Sequence, residues 1–174
     1  MGKLQKKKGK LFMIMERWIL VAIIIISLLL VWKLIPKDKM RDACLLFLSL
    51  QMITWPAGLL VVEMEWINYP IQLFPNVNEY NQSSFFFEFF LFPIISTFFS
   101  LYHPKRIGFS LLYYVCFTGF FTSLEALLEH TTKLVDYHQW KWYWTFVSVN
   151  IALFLNHRYY LWFKKDLKKV VNHE

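Results

Sequence analysis

Ile107-Gly-Phe-Ser-Leu-Leu-Tyr-Tyr-Val-Cys-Phe-Thr-Gly-Phe-Phe-Thr-Ser-Leu-Glu125-Ala-Leu-Leu-Glu129-His130, then a polar turn over 131–139 and the aromatic re-entry Trp140-Lys-Trp-Tyr-Trp144, decides the fold class. About 20 apolar residues at 1.5 Å rise cover the ~30 Å of hydrocarbon in a bilayer, and the first part of this stretch is long enough. At 100° per residue, Tyr114, Thr118, Thr122, Glu125 and Glu129 fall within an arc of about 80°. Lipid offers no hydrogen-bond partner, so such a stripe must face other helices or water.

The rest of the chain repeats that message. Its 174 residues amount to one domain, and they are 57% hydrophobic and 20% aromatic, too apolar for a soluble surface. The apolar residues come in blocks of membrane-spanning length, which makes the fold class all-α, a helical transmembrane bundle of about five spans. The net charge of +7 comes from Lys and Arg that flank the apolar blocks. That placement fits membrane topology and anionic headgroups, and it points away from nucleic acid as a partner. Cys44 and Cys116 sit inside apolar blocks, reading as small core residues rather than a disulfide framework.

Working outward, the spans are expected over about 14–35, 40–62, 84–102, 107–128 and 141–163, with 63–83 as an interfacial loop. The first follows a basic tail and resembles a signal peptide in layout, but no small-residue cleavage site follows it, so it reads as a retained helix. In the second, Gln51, Thr54, Gly58 and Glu65 share an arc of about 60°, and Pro56 should kink the helix. The loop mixes Pro70 and Pro75 with Trp66, Tyr69, Phe74 and Tyr80, a composition for the headgroup level. Asn81-Gln-Ser83 matches a glycosylation sequon by composition alone. The third span carries Glu88 among phenylalanines, and Pro93 should bend it. In the fifth, Ser148, Ala152 and Asn156 recur at four-residue steps, a spacing that lets membrane helices approach closely.

Short-loop charges set the orientation. Lys33, Lys37, Lys39, Arg41, Lys105, Arg106, Arg158 and the tail lysines share one side, against Lys133 and Lys141 on the other. The positive-inside rule then puts the C-terminus in the cytoplasm of a multi-pass cell-membrane protein. The basic tail over 1–10 conflicts with an outer N-terminus, a conflict that a start at Met13 or Met15 would remove. On this topology the acids gather in the outer half.

Glu65, Glu88, Glu125 and Glu129 are therefore the candidate intramembrane acidic cluster, because ionisable residues in spans are functional candidates by default. Two roles are open for them: hydrogen-bonding between helices, or an outward-facing vestibule for cations or protons. Glu125, Glu129, His130 and His138 have metal-ligand residue types but lack the Glu-x-x-His spacing of carboxylate di-iron bundles. His103 and His157 read as interfacial or capping histidines. No phosphate loop, nucleophile elbow, zinc motif or Cys-x-x-Cys is present, so no catalytic residue, metal or cofactor is indicated.

Trp55-Pro56 through Glu65, Tyr69-Pro70, Leu73-Phe74-Pro75, Phe87-Glu88-Phe89-Phe90 with Pro93, Glu125 to Glu129, and Tyr137 with Trp140-Lys-Trp-Tyr-Trp144 together carry a resemblance. The chain resembles a family of small multi-pass membrane proteins of endospore-forming Gram-positive bacteria, over nearly everything after the first helix. The resemblance implies location and architecture, with a link to sporulation by host alone. The leading expectation is non-enzymatic: a structural or accessory component in the lipid bilayer. It would pack with itself or a larger membrane protein through the Gln51/Gly58 and Ser148/Ala152/Asn156 faces. The alternative is a cation- or proton-coupled transporter or channel using the acidic cluster, and the third is a membrane-embedded metal enzyme.

Overall fold

The computed structural model describes residues 2–73 and 84–171, with side chains over 13–73 and 84–165. The tail over 1–10, Phe74, Pro75, Glu79, Tyr80, the sequon Asn81–Ser83, and Lys168 and Lys169 lie outside the described side chains.

The long elements are all helical: α1 (Gly2–Leu34), α2 (Met40–Glu63), α3 (Phe92–Leu101), α4 (Ile107–Thr131) and α5 (Trp142–Val171). Three stretches, Met13–Leu34, Lys37–Glu63 and Ile107–Thr131, are long and apolar enough to cross a membrane. Their outward faces carry large apolar residues such as Trp18, Ile26, Met52, Leu111 and Phe120. Water would penalise that surface at roughly 25 cal/mol per Å², whereas hydrocarbon accepts it. Cys44 and Cys116 are also exposed and free. They belong to the apolar exterior, not to the core expected for them, and a thiol is apolar enough to stand there.

Inside, α2, α3 and α5 pack on one another and α4 closes against α5. Asn156 of α5, fully buried, holds three elements at once. Its Nδ2 donates to Leu46 O at 3.1 Å and Ser96 Oγ at 2.8 Å, and its Oδ1 accepts from Ser49 Oγ at 2.5 Å. The stripe on α4 turns inward as its 100° spacing predicts, with Thr118 and Thr122 buried.

Two departures from simple helix periodicity shape one end of the bundle. The first is at the close of α2. Glu65 has φ 57° and the Trp66 N–H turns back to Val61 O at 3.1 Å, a left-handed helix stop usually given to glycine. The chain then forms β1 (Ile67–Asn68), paired antiparallel with β2 (Asp136–Tyr137) in the register Ile67↔Tyr137, Asn68↔Asp136. The Trp66 carbonyl accepts from the N–H groups of His138, Gln139 and Trp140 at 3.0, 3.3 and 3.2 Å. This clasp joins two loops far apart in the chain and buries Leu134 and Val135 with Ile67, Ile71, Phe86, Phe87 and Leu20 of α1.

The second departure precedes α3. Residues Phe85–Leu91 form a π-helical turn, where a plain α-helix bent at Pro93 is what the sequence suggests. The Phe92 N–H reaches five residues back, to Phe87 O. Pro93 has no N–H to give, so the carbonyls of Glu88 and Phe89 lose their helical donors. Two side chains of α2 replace them: Thr54 Oγ1 donates to Glu88 O and Gln51 Nε2 to Phe89 O, each at 2.8 Å. An unmet carbonyl in hydrocarbon costs on the order of several kcal/mol, so this pairing fixes the register of α2 against the turn.

Candidate functional site

Glu88 sits on the π turn. Ser84 starts that turn by accepting the Phe87 N–H on Oγ at 3.3 Å and the Glu88 N–H on its carbonyl at 3.1 Å. The carboxyl group then lies over Gly58 of α2, and a Cβ at position 58 would collide with it. Glycine is needed here for space rather than for backbone freedom. Glu88 is 3% exposed, the Tyr69 phenol of the clasp pairs with its carboxyl group, and its Oε2 has no partner.

Glu125 comes from the α4 stripe, one helix away. Its Oε1 accepts from the Tyr137 hydroxyl at 2.5 Å and from Thr145 Oγ1 at 3.1 Å. Thr145 in turn accepts from the Trp140 indole N–H at 2.8 Å. The aromatic re-entry thus builds a donor chain from Trp140 through Thr145 onto one carboxyl oxygen. The other, Oε2, is buried and has no partner.

Glu88 and Glu125 both line one half-open cavity of about 320 Å³ formed by α2, the π turn, α3, α4 and α5. Its walls are mostly apolar, with Phe92 and Phe121 beside Tyr69 and Trp140. Among the described residues, its lining contains no Lys, Arg or His. The two phenols that meet these acids are held neutral. Burial, and then the adjacent Glu88, push the Tyr69 hydroxyl well above the usual phenol range. Burial and Glu125 do the same to Tyr137. Both phenols therefore act as donors to the carboxyl groups and not as bases.

Of the four acids expected to cluster, the structure brings Glu88 and Glu125 together. Glu65 is itself the left-handed stop, two residues beyond α2, and is exposed, so extending the α2 face to it by 100° steps fails. Glu129, one turn beyond Glu125, is half-buried and outside the cavity lining. Gln51 and Gly58 meet the π turn, and Ser148 and Ala152 line the cavity. Gln51 and Asn156 are buried inside the chain, Gly58 and Ala152 are half-buried, and Ser148 stays exposed.

Among the described residues no three His, Cys, Asp or Glu side chains gather as a metal site, so Glu125, Glu129, His130 and His138 do not converge as one. Sequence reasoning missed Glu16. Only 2% exposed, it accepts the Lys133 N–H on Oε1 at 2.7 Å and leaves Oε2 buried without a partner. A lone acid at the start of an apolar run was the available signal. Tyr69 and Tyr137 were also missed as partners of the two acids, since both read as belt aromatics. No protein-family model, curated protein or solved structure matches the chain.

Proposed function

We propose that the chain is a five-span membrane carrier that binds a small organic cation between Glu88 and Glu125. One observation supports this reading: two acids, each with a buried, unpartnered carboxyl oxygen, line a single cavity whose described lining holds no cation. An ionised carboxylate in a membrane interior is costly unless a proton or a cation neutralises it. A bare metal ion wants about six oxygen ligands, which this mostly apolar lining does not provide. An ammonium or guanidinium group on an apolar body fits better. The carboxylates would take the charge, and Trp140 and Tyr69 are aromatic members of the same lining.

The non-enzymatic accessory reading keeps only part of its docking face: the amides of Gln51 and Asn156 are spent inside the bundle, while Ser148 remains exposed. The orientation with the C-terminus in the cytoplasm is supported by two contacts at the end away from the cavity. There the Tyr102 hydroxyl donates to Leu34 O, and Lys164 pairs with Asp42 at 2.6 Å, gathering the basic turns on one side.

The direct test is equilibrium binding to the purified protein. A series of methylammonium, tetramethylammonium and guanidinium salts is titrated against wild type, Glu88→Gln, Glu125→Gln and Glu65→Gln. Saturable binding lost in the first two variants and kept in the third is the expected result. Equal binding by all four proteins would end this reading, and a co-purifying membrane protein at fixed stoichiometry would favour the accessory one.

A further inference from the structure

At the other end of the bundle, a second and larger pocket of about 840 Å³ lies between the turn that follows α3, the start of α4 and the end of α5. Its polar lining is basic. Lys105 comes from the turn, and Arg158, Lys164 and Lys165 come from α5. Lys164 is committed to Asp42, whereas Lys105, Arg158 and Lys165 have no ion pair among the described residues. No carboxylate lines the pocket among the described residues.

Two histidines form its floor. The rings of His103 and His157 lie 4.2 Å apart, and His103 Nε2 is 3.2 Å from Ser110 Oγ on α4. His157 is 8% exposed, and its Nδ1 is buried without a partner. Such an atom is a hydrogen-bonding group with its capacity unused. The first N–H groups of α4 add to this, since Arg106 supplies no side-chain cap to them. Ser100, Tyr114 and Tyr160 also line it, and its apolar wall includes Ile107, Phe154 and Leu161. These last three are exposed and sit where acyl chains would run.

We propose that this pocket binds a phosphate group. Lys105, Arg158 and Lys165 would neutralise it, and Ser110 and His157 would supply short hydrogen bonds. Guanidinium and ammonium donors match phosphate oxygens in geometry and charge. The apolar wall makes an anionic phospholipid headgroup the natural source, in the manner of basic pockets between membrane helices. Free phosphate shares the same chemistry, so the experiment separates the two.

Delipidated protein is titrated with phosphatidylglycerol and with phosphatidylcholine, read by native mass spectrometry, and with inorganic phosphate, read by calorimetry. The variants are Lys105→Gln/Arg158→Gln, both at exposed side chains, and Lys133→Gln at the far end as control. Phosphatidylglycerol binding that exceeds phosphatidylcholine and falls roughly tenfold in the double variant supports the site, with lipid as source. Saturable inorganic phosphate binding, lost in the same variant, supports it with free phosphate as source. Equal retention of the two lipids without phosphate binding, or a double variant that binds like wild type, overturns it.

Discussion

Gly58→Ala adds one methyl group and removes no chemical function, yet it should disable the cavity. A Cβ at position 58 would occupy the space of the Glu88 carboxyl group. The obstructing atoms are the far end of a flexible side chain, so the collision is relieved by swinging Glu88 aside rather than by moving α2. Overpacking of this kind costs about 1 kcal/mol at the low end of its range. Replacing a glycine by alanine inside a helix returns roughly 1 kcal/mol. The two nearly cancel, so the melting temperature should fall only as far as the lost Tyr69 pairing, about 1 kcal/mol, takes it. Binding should behave differently. The displaced carboxyl group loses its place in the lining, and the charge-assisted hydrogen bond that an organic cation would make to it is worth about 1.5–3 kcal/mol. That converts to a roughly tenfold to hundredfold weaker dissociation constant for an organic cation. Thermal unfolding and calorimetric titration on the same sample read the two effects apart. Wild-type affinity in folded Gly58→Ala would refute the reasoning, because it would mean the Glu88 carboxyl group does not serve the cavity from this position.

Asn156→Ala should destabilise the bundle by about 2–5 kcal/mol, since three interhelical bonds of about 0.6–1.7 kcal/mol each are lost. A shift indistinguishable from zero in an unfolding titration would count against this. Glu16→Ala leaves the Lys133 N–H without its acceptor, and hydrogen exchange at that amide should accelerate as α1 loosens from the clasp. Exchange at the wild-type rate would show that another group meets it. The phenols give a pH prediction. Tyr69 and Tyr137 bind their protons more tightly folded than unfolded, so their stabilising effect is complete below the ordinary phenol value of about 10. It is lost as pH rises above that value, because the unfolded chain ionises first. Spectrophotometric titration should show two tyrosines that ionise only on unfolding, and Tyr137→Phe should remove one of them.

Much of this fold is legible in the sequence, because hydrocarbon enforces simple rules. Apolar runs of spanning length mark the helices, and the 100° stripe through Thr118, Thr122 and Glu125 marks the face that turns inward. Three-dimensional placement is harder to read. Glu88 and Glu125 come from helices whose order around the bundle no periodicity encodes. The π turn arises from Pro93 acting with Thr54 and Gln51, donors on another helix, so local patterning at Phe85–Leu91 suggests only a bent α-helix. Glu65 marks where extrapolation along a helix face fails, since it is itself the left-handed residue that stops the helix. The β1–β2 clasp is two residues deep, too short for any alternation to announce it. Yet it delivers Tyr69 to Glu88 and Tyr137 to Glu125.

The central claim is that Glu88 and Glu125 share one membrane-embedded cavity that carries a cation. Counterflow of a labelled small organic cation, measured in proteoliposomes holding wild type, Glu88→Gln, Glu125→Gln or Glu65→Gln, tests it most directly. The account predicts exchange by wild type and Glu65→Gln, and background uptake by Glu88→Gln and by Glu125→Gln. Wild-type protein that exchanges no cation, or exchange that survives loss of both cavity carboxylates, would contradict it.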